Sequence, residues 1–169
     1  MLEKIVSGAQ TGADRGALDA ALARGFPVGG WVPAGRRAED GSVPDLYMNA
    51  GLVETRSSGY LVRTELNVKD SDATLILSFT VEGAITGGTK RTAEFAQKHG
   101  KPCRFCLASA EGVDPVQLEA AVQFVREHDP KVLNVAGPRE SKQPGLQAAV
   151  ARFVAALLAA NNVERASHV

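Results

Sequence analysis

Ile5-Val6-Ser7-Gly8-Ala9-Gln10-Thr11-Gly12-Ala13-Asp14 passes from an apolar run, through a polar loop with two glycines, into an alanine-rich helical pattern. The same passage recurs twice. Leu75-Ile76-Leu77-Ser78 leads to Thr86-Gly87-Gly88-Thr89, and Val132-Leu133-Asn134-Val135 breaks into Ala136-Gly137-Pro138-Arg139-Glu140-Ser141. Strand, glycine loop and helix form the unit of an open parallel α/β sheet. In such sheets ligands bind outside the carboxyl ends of the strands, and right-handed crossovers gather these loops on one edge. Helix N-termini there present N–H groups without intrahelical acceptors and the positive end of the helix dipole, which suits phosphate and other anions. The three loops therefore predict one anion-binding cleft assembled from distant segments.

Working outward, strands are expected over 3–8, 26–32, 72–79, 103–107 and 132–135. Helices are expected over 13–24, 60–69, 87–99, about 115–128 and 145–160. Leu18 and Leu22 are spaced i, i+4, and Gly25 follows as a stop signal. Asp114-Pro115 offers an N-cap and a first-turn proline. Residues 33–55 read as one long irregular loop rich in glycine, proline and charge, a length that tends to be functional. Alternating strands and helices predict a doubly wound α/β domain of about five parallel strands, with helices on both faces. A single domain over residues 1–160 and a polar tail over 161–169 are expected.

Composition narrows the function. The 169 residues carry 19 basic and 19 acidic side chains, so bulk charge attracts neither nucleic acid nor an anionic membrane. No apolar window approaches the ~18 residues of a membrane span. Met1-Leu2-Glu3-Lys4 runs straight into a strand pattern without a charged-then-apolar leader, and a cytoplasmic protein is expected. Cys103 and Cys106 have C-x-x-C spacing, but they lie in a strand pattern, where residues three apart point to opposite faces. They are expected to be core residues rather than a redox pair, and no metal-ligand set is assigned.

Within the loops, Ser7, Gly8, Gln10, Thr11 and Gly12 offer close backbone approach with side-chain donors and acceptors. Gly87, Gly88 and Thr89 open a helix with backbone N–H groups exposed to a phosphate. Arg139 can fork onto an oxyanion, with Ser141 beside it. Arg36, next to Arg37, reads either as part of an anion clamp or as an exposed solvated run. Arg63 and Asn67, four apart, can face the cleft from one helix side. Glu94 is the best carboxylate for glycosidic-bond chemistry and equally a solvent-facing helix residue.

The segments 7–15 and 29–41, Tyr60, Arg63-Thr64-Glu65-Leu66-Asn67-Val68, Thr86-Gly87-Gly88-Thr89 and 133–141 occur in order. Together they resemble the proposed molybdenum (molybdenum cofactor) carrier family, over nearly the whole chain. The resemblance implies a Rossmann-like three-layer fold related to Lonely Guy-type and DNA-processing-A-type domains. It also implies a molybdenum cofactor cargo (molybdopterin, a phosphorylated pterin), a homo-oligomer (dimer or tetramer) and molybdoenzymes as partners. Trp31 is a candidate stacking face for the pterin and equally a candidate core tryptophan. Relatives that cleave nucleoside monophosphates carry Pro-Gly-Gly-x-Gly-Thr-x-x-Glu. Here Thr86 replaces the proline and the second Gly-Thr is missing, though Glu94 keeps the last position. The alternative is thus a phosphoribohydrolase-like N-glycosidase, or a nucleotide-binding sensor. The Gly-x-Arg strand, first in the DNA-processing-A type, comes last here, which predicts a permuted strand order of 2-1-5-3-4 rather than 2-1-3-4-5.

Overall fold

Six parallel strands make up the central sheet, in the order β5-β2-β1-β8-β6-β7. The strands are β1 (Lys4–Val6), β2 (Val28–Val32), β5 (Leu52–Glu54), β6 (Ala73–Ser78), β7 (Cys103–Leu107) and β8 (Val132–Ala136). Two-residue strands β3 (Arg37–Ala38) and β4 (Gly41–Ser42) form a separate antiparallel hairpin. The computed structural model describes residues 1–167, with side chains through residue 161.

The five strands expected from sequence occupy the order 2-1-5-3-4, and a sixth, β5, is added at the edge beside β2. The last strand, β8, is therefore inserted between β1 and β6. It pairs Lys4, Ile5 and Val6 with Val132, Leu133 and Asn134 on one side, and Leu133 to Ala136 with Ala73 to Ile76 on the other. All six residues of β6 are buried, as a strand covered on both faces requires.

Helices α1 (Ala13–Leu22), α5 (Pro115–His128) and α6 (Leu146–Ser167) pack together on one face. Helices α3 (Tyr60–Lys69) and α4 (Gly87–Lys98) pair on the other. The main core lies under the first group, with Leu18, Leu133, Val150, Phe153 and Leu157 almost fully buried. A small cluster of Val68, Phe95 and Ala96 lies under the second. Cys103 packs on that small cluster, while Cys106 belongs to the main core. The two thiols thus face opposite sides of β7. Burial, with Glu82 nearby, pushes the Cys103 thiol up to about 12, and burial also raises Cys106.

Residues 33–55 are more ordered than the expected loop. Besides the hairpin they contain α2 (Asp45–Ala50) and β5. Tyr47 is the buried residue of α2, and its hydroxyl donates to Asp19 Oδ1 at 2.6 Å, which ties the short helix to α1. Helix α6 continues beyond residue 160 to Ser167; side chains from 162 onward, and residues 168–169 of the expected tail, lie outside the described residues.

Candidate functional site

The carboxyl ends of β1, β8 and β6 meet at a cleft of about 280 Å³. All three glycine loops line it, together with the first turns of α3 and α4. Insertion of β8 between β1 and β6 brings Ala136-Gly137-Pro138-Arg139 between the other two loops.

At the floor, Gly8 matters for what it lacks. A Cβ there would fall 1.5 Å from Arg63 Nη1, so the guanidinium lies where a side chain would be. Arg63 Nη1 donates to Asp14 Oδ2 at 3.1 Å, and the Gln10 backbone N–H donates to the same oxygen at 3.2 Å. Both Arg63 and Asp14 are buried. Burial raises the Asp14 pKa; the charge and hydrogen bond of Arg63 oppose the rise without cancelling it. Gln10 Oε1 accepts from the N–H groups of Thr11 at 3.1 Å and Glu39 at 2.9 Å. That use of the oxygen leaves the amide nitrogen as the free end. Gln10 Nε2 and Arg63 Nε are buried and have no acceptor. Each such donor costs ~1–3 kcal/mol, and two in residues lining one cleft point to an acceptor supplied from outside.

Helix α4 begins at Gly87-Gly88, and Thr86 gives it no side-chain cap. Its first N–H groups therefore have no partner within the helix. Gly88, Thr89 and Lys142 line this side of the cleft. Gly87 lies beside it, and a Cβ there would stand 3.3 Å from Lys142 Nζ.

The sequence candidates divide. Gly8, Gln10, Arg63, Gly88, Thr89 and Arg139 line the cleft, as does Asn67, while Ser7, Thr11, Gly12 and Ser141 do not. Ser7 Oγ donates to Val135 O at 2.7 Å and stitches β1 to β8 beneath the site. Gly12 packs directly against the backbone of residues 138–140. Thr11 and Ser141 hold Glu39: both hydroxyls donate to its carboxylate, Ser141 at 2.5 Å, and the Ser141 N–H donates at 3.2 Å. Arg15 grips Asp40 next door through two hydrogen bonds of 2.5 and 2.8 Å. Glu39 and Asp40 thus clasp the β3–β4 hairpin onto loops one and three.

Arg36 is a correction. Its backbone turns at φ 58°, and its guanidinium pairs with Asp45 at 2.6 Å and donates to Val43 O, away from the cleft. Trp31 lies outside the cleft lining, and its ring N–H donates to Asp70 at 2.9 Å. Glu94 pairs with Arg91 at 2.6 Å and faces a separate surface groove beside β7. Asp14, Tyr60, Asn134 and Lys142, by contrast, line the cleft without having been singled out as ligand contacts.

The clasp titrates. Burial raises the Glu39 pKa, but the hydrogen bonds from Ser141 and Thr11 and the charge of Arg139 outweigh it and leave the group below its ordinary 4.5. A carboxylate depressed by folding contributes stability that is present above the unfolded value and lost as pH falls through the folded one. Glu39→Gln is therefore expected to melt below the wild type at pH 7, and the gap should close as pH falls below about 4.5. Thermal melts across that range check it; a gap independent of pH would reject the clasp.

Among the described residues no group of three or more His, Cys, Asp and Glu is placed to hold a metal ion. No helix there is long and apolar enough to cross a membrane. No curated protein matches the chain. The crystal structure of a protein from Syntrophus aciditrophicus SB, named as a proposed molybdenum carrier, is 42% identical, with a TM-score of 0.81 over 93% of this chain and 95% of that one. Residues 5–158 match the model of the circularly permutated YpsA SLOG family. The permutation in that description agrees with the insertion of the last strand at the sheet centre. The chain belongs to the circularly permutated YpsA family of SLOG domains.

Proposed function

We propose that the protein carries a phosphorylated pterin, the molybdenum cofactor, with the phosphate on the cleft floor. The observation that supports this best is the pair of buried donors without acceptors, Gln10 Nε2 and Arg63 Nε, near the uncapped start of α4. A phosphate oxygen accepts from such donors, and the helix dipole favours its charge. About 280 Å³ is just below the roughly 300–1,000 Å³ typical of ligand pockets. That size suits the phosphorylated end of a ligand, with the ring system extending beyond the cleft. The Syntrophus protein is named as a proposed carrier of molybdenum, the metal of that cofactor. Self-association and transfer of the cargo to molybdoenzymes belong to this proposal.

Carriage is preferred to turnover because of where the carboxylates lie. Among the described residues lining the cleft, Asp14 is the one carboxylate, and it is engaged by Arg63 and Gln10. Glu94, the acid of the N-glycosidase alternative, faces elsewhere. Protein isolated anaerobically from cells that make the cofactor is expected to yield pterin fluorescence after oxidation, and molybdenum by mass spectrometry. Arg63→Ala should retain less than about a tenth as much, the loss of roughly one charge-assisted hydrogen bond. Wild-type protein without pterin would contradict the proposal. So would release of free base from nucleoside monophosphates that disappears in Asp14→Asn or Glu94→Gln.

A further inference from the structure

We infer that the cleft mouth holds a second oxyanion subsite, formed by Arg37 and Arg139 around Tyr60, so that the ligand bears two anionic groups close together. The inference rests on the floor being a phosphate site. The arginines around the cleft sort into two kinds. Arg15 pairs with Asp40, Arg36 with Asp45 and Arg63 with Asp14. Arg37 and Arg139 have no ion-pair partner among the described residues. Their guanidinium carbons instead lie 4.8 and 4.9 Å from the centre of the Tyr60 ring. Tyr60 and Arg139 both line the cleft; Arg37 is exposed outside that lining and adjoins it through the Tyr60 ring.

The acid near Arg139 is Glu39: its charge and that of Arg139 favour each other, but the two form no ion pair, and the carboxylate oxygens are held by other donors. Oε1 accepts from Thr11 and the Ser141 N–H, and Oε2 accepts from Ser141 Oγ. The clasp that holds this acid also fixes the hairpin carrying Arg37, because Glu39 and Asp40 lie two and three residues further along. Two guanidiniums on one ring repel each other, and the ring face offsets this only in part. An anion within reach of both would offset the repulsion and use the planar fork of each. Arg63 of the floor is 5.7 Å from the same ring centre. Floor and mouth thus flank one side chain, a spacing that suits neighbouring groups of one small ligand. The shared chemistry is a tetrahedral oxyanion, either the second phosphate of a diphosphate or a molybdate-type group beside a single phosphate.

Titration calorimetry on the full-length protein tests this with inorganic phosphate, inorganic diphosphate, and molybdate added to phosphate-saturated protein. If the mouth accepts a second phosphate, diphosphate binds at least about tenfold tighter than phosphate. If it accepts a molybdate-type group, molybdate adds one equivalent to the phosphate-loaded protein. In either case Arg37→Ala and Arg139→Ala each remove most of the second-anion effect, and Arg36→Ala leaves it intact. Phosphate binding with neither a diphosphate gain nor a molybdate equivalent overturns the subsite and leaves the floor standing. A second-anion effect that survives Arg37→Ala also overturns it. Absence of phosphate binding overturns the floor reading and the subsite with it.

Discussion

Gly12→Ala is expected to lower the melting temperature by roughly 10 °C. Gly12 joins β1 to α1 at φ 82°, and a Cβ there would stand 2.5 Å from Pro138 O, 2.6 Å from Glu140 N and 2.7 Å from Arg139 C. All three are backbone atoms of the third loop, which the Ala13 N–H also holds through Pro138 O at 3.2 Å. With ψ −128° Gly12 lies outside the left-handed helical well, in a region that costs an alanine ~1–3 kcal/mol, and overpacking adds ~1–3 kcal/mol. At about 2–4 °C per kcal/mol for a chain of this size, the sum reaches that shift. Gly25 makes the comparison: it has φ 60° with nothing within 4 Å of a Cβ, so Gly25→Ala carries the conformational cost alone. Differential scanning calorimetry reads both. Equal shifts in the two variants would mean that loops one and three are not in contact.

Arg63→Ala is expected to cost ~3–5 kcal/mol at neutral pH, because it strands a buried carboxylate without its partner. The Asp14 and Arg63 side chains are 8% and 11% exposed, so solvent does little to replace the interaction. The pH dependence identifies the cause. Asp14 already titrates above its ordinary 3.8 in the folded protein, and without Arg63 it rises further. An acid whose folded pKa exceeds its unfolded value makes the protein less stable as pH rises between the two, with no further change above them. Acidification should therefore narrow the gap between Arg63→Ala and the wild type. The double variant Arg63→Ala, Asp14→Asn should recover much of the loss at pH 7. Denaturant titrations at several pH values measure this; a double variant no more stable than Arg63→Ala would show that Asp14 is not the source.

What sequence reading reaches is set by the range of the signal. The long apolar run of β6 and the proline-started α5 carry their own periodicity and punctuation, and both are found where expected. The central position of β8 follows from the order of its Gly-x-Arg motif relative to the Ser7-Gly8 strand. β5 escapes detection because only Leu52 of its three residues is buried, which leaves no alternation to see. α2 is a six-residue helix held by a tyrosine contact to Asp19, a partner 28 positions away, and by the ion pair of Asp45 with Arg36.

The site divides in the same manner. Glycine loops are visible because glycine has few other reasons to cluster before a helix. Asp14 looks like any acid in a first helical turn until Arg63, 49 residues later, is placed over Gly8. Thr11 and Ser141 resemble ligand donors, yet their acceptor is Glu39 of the intervening hairpin. The choice between Arg36 and Arg37 depends on one turn: a positive φ at Arg36 sends that side chain to Asp45 and leaves Arg37 for Tyr60. Neighbouring residues of one type cannot be told apart without that backbone.

A crystal structure of the protein bound to molybdopterin is the most direct measurement of the central claim. The account predicts a phosphate oxygen within hydrogen-bond distance, about 3 Å, of both Gln10 Nε2 and Arg63 Nε, with Gly88 at its side. A pterin bound elsewhere, or bound in the cleft with its phosphate away from those two donors, would contradict it.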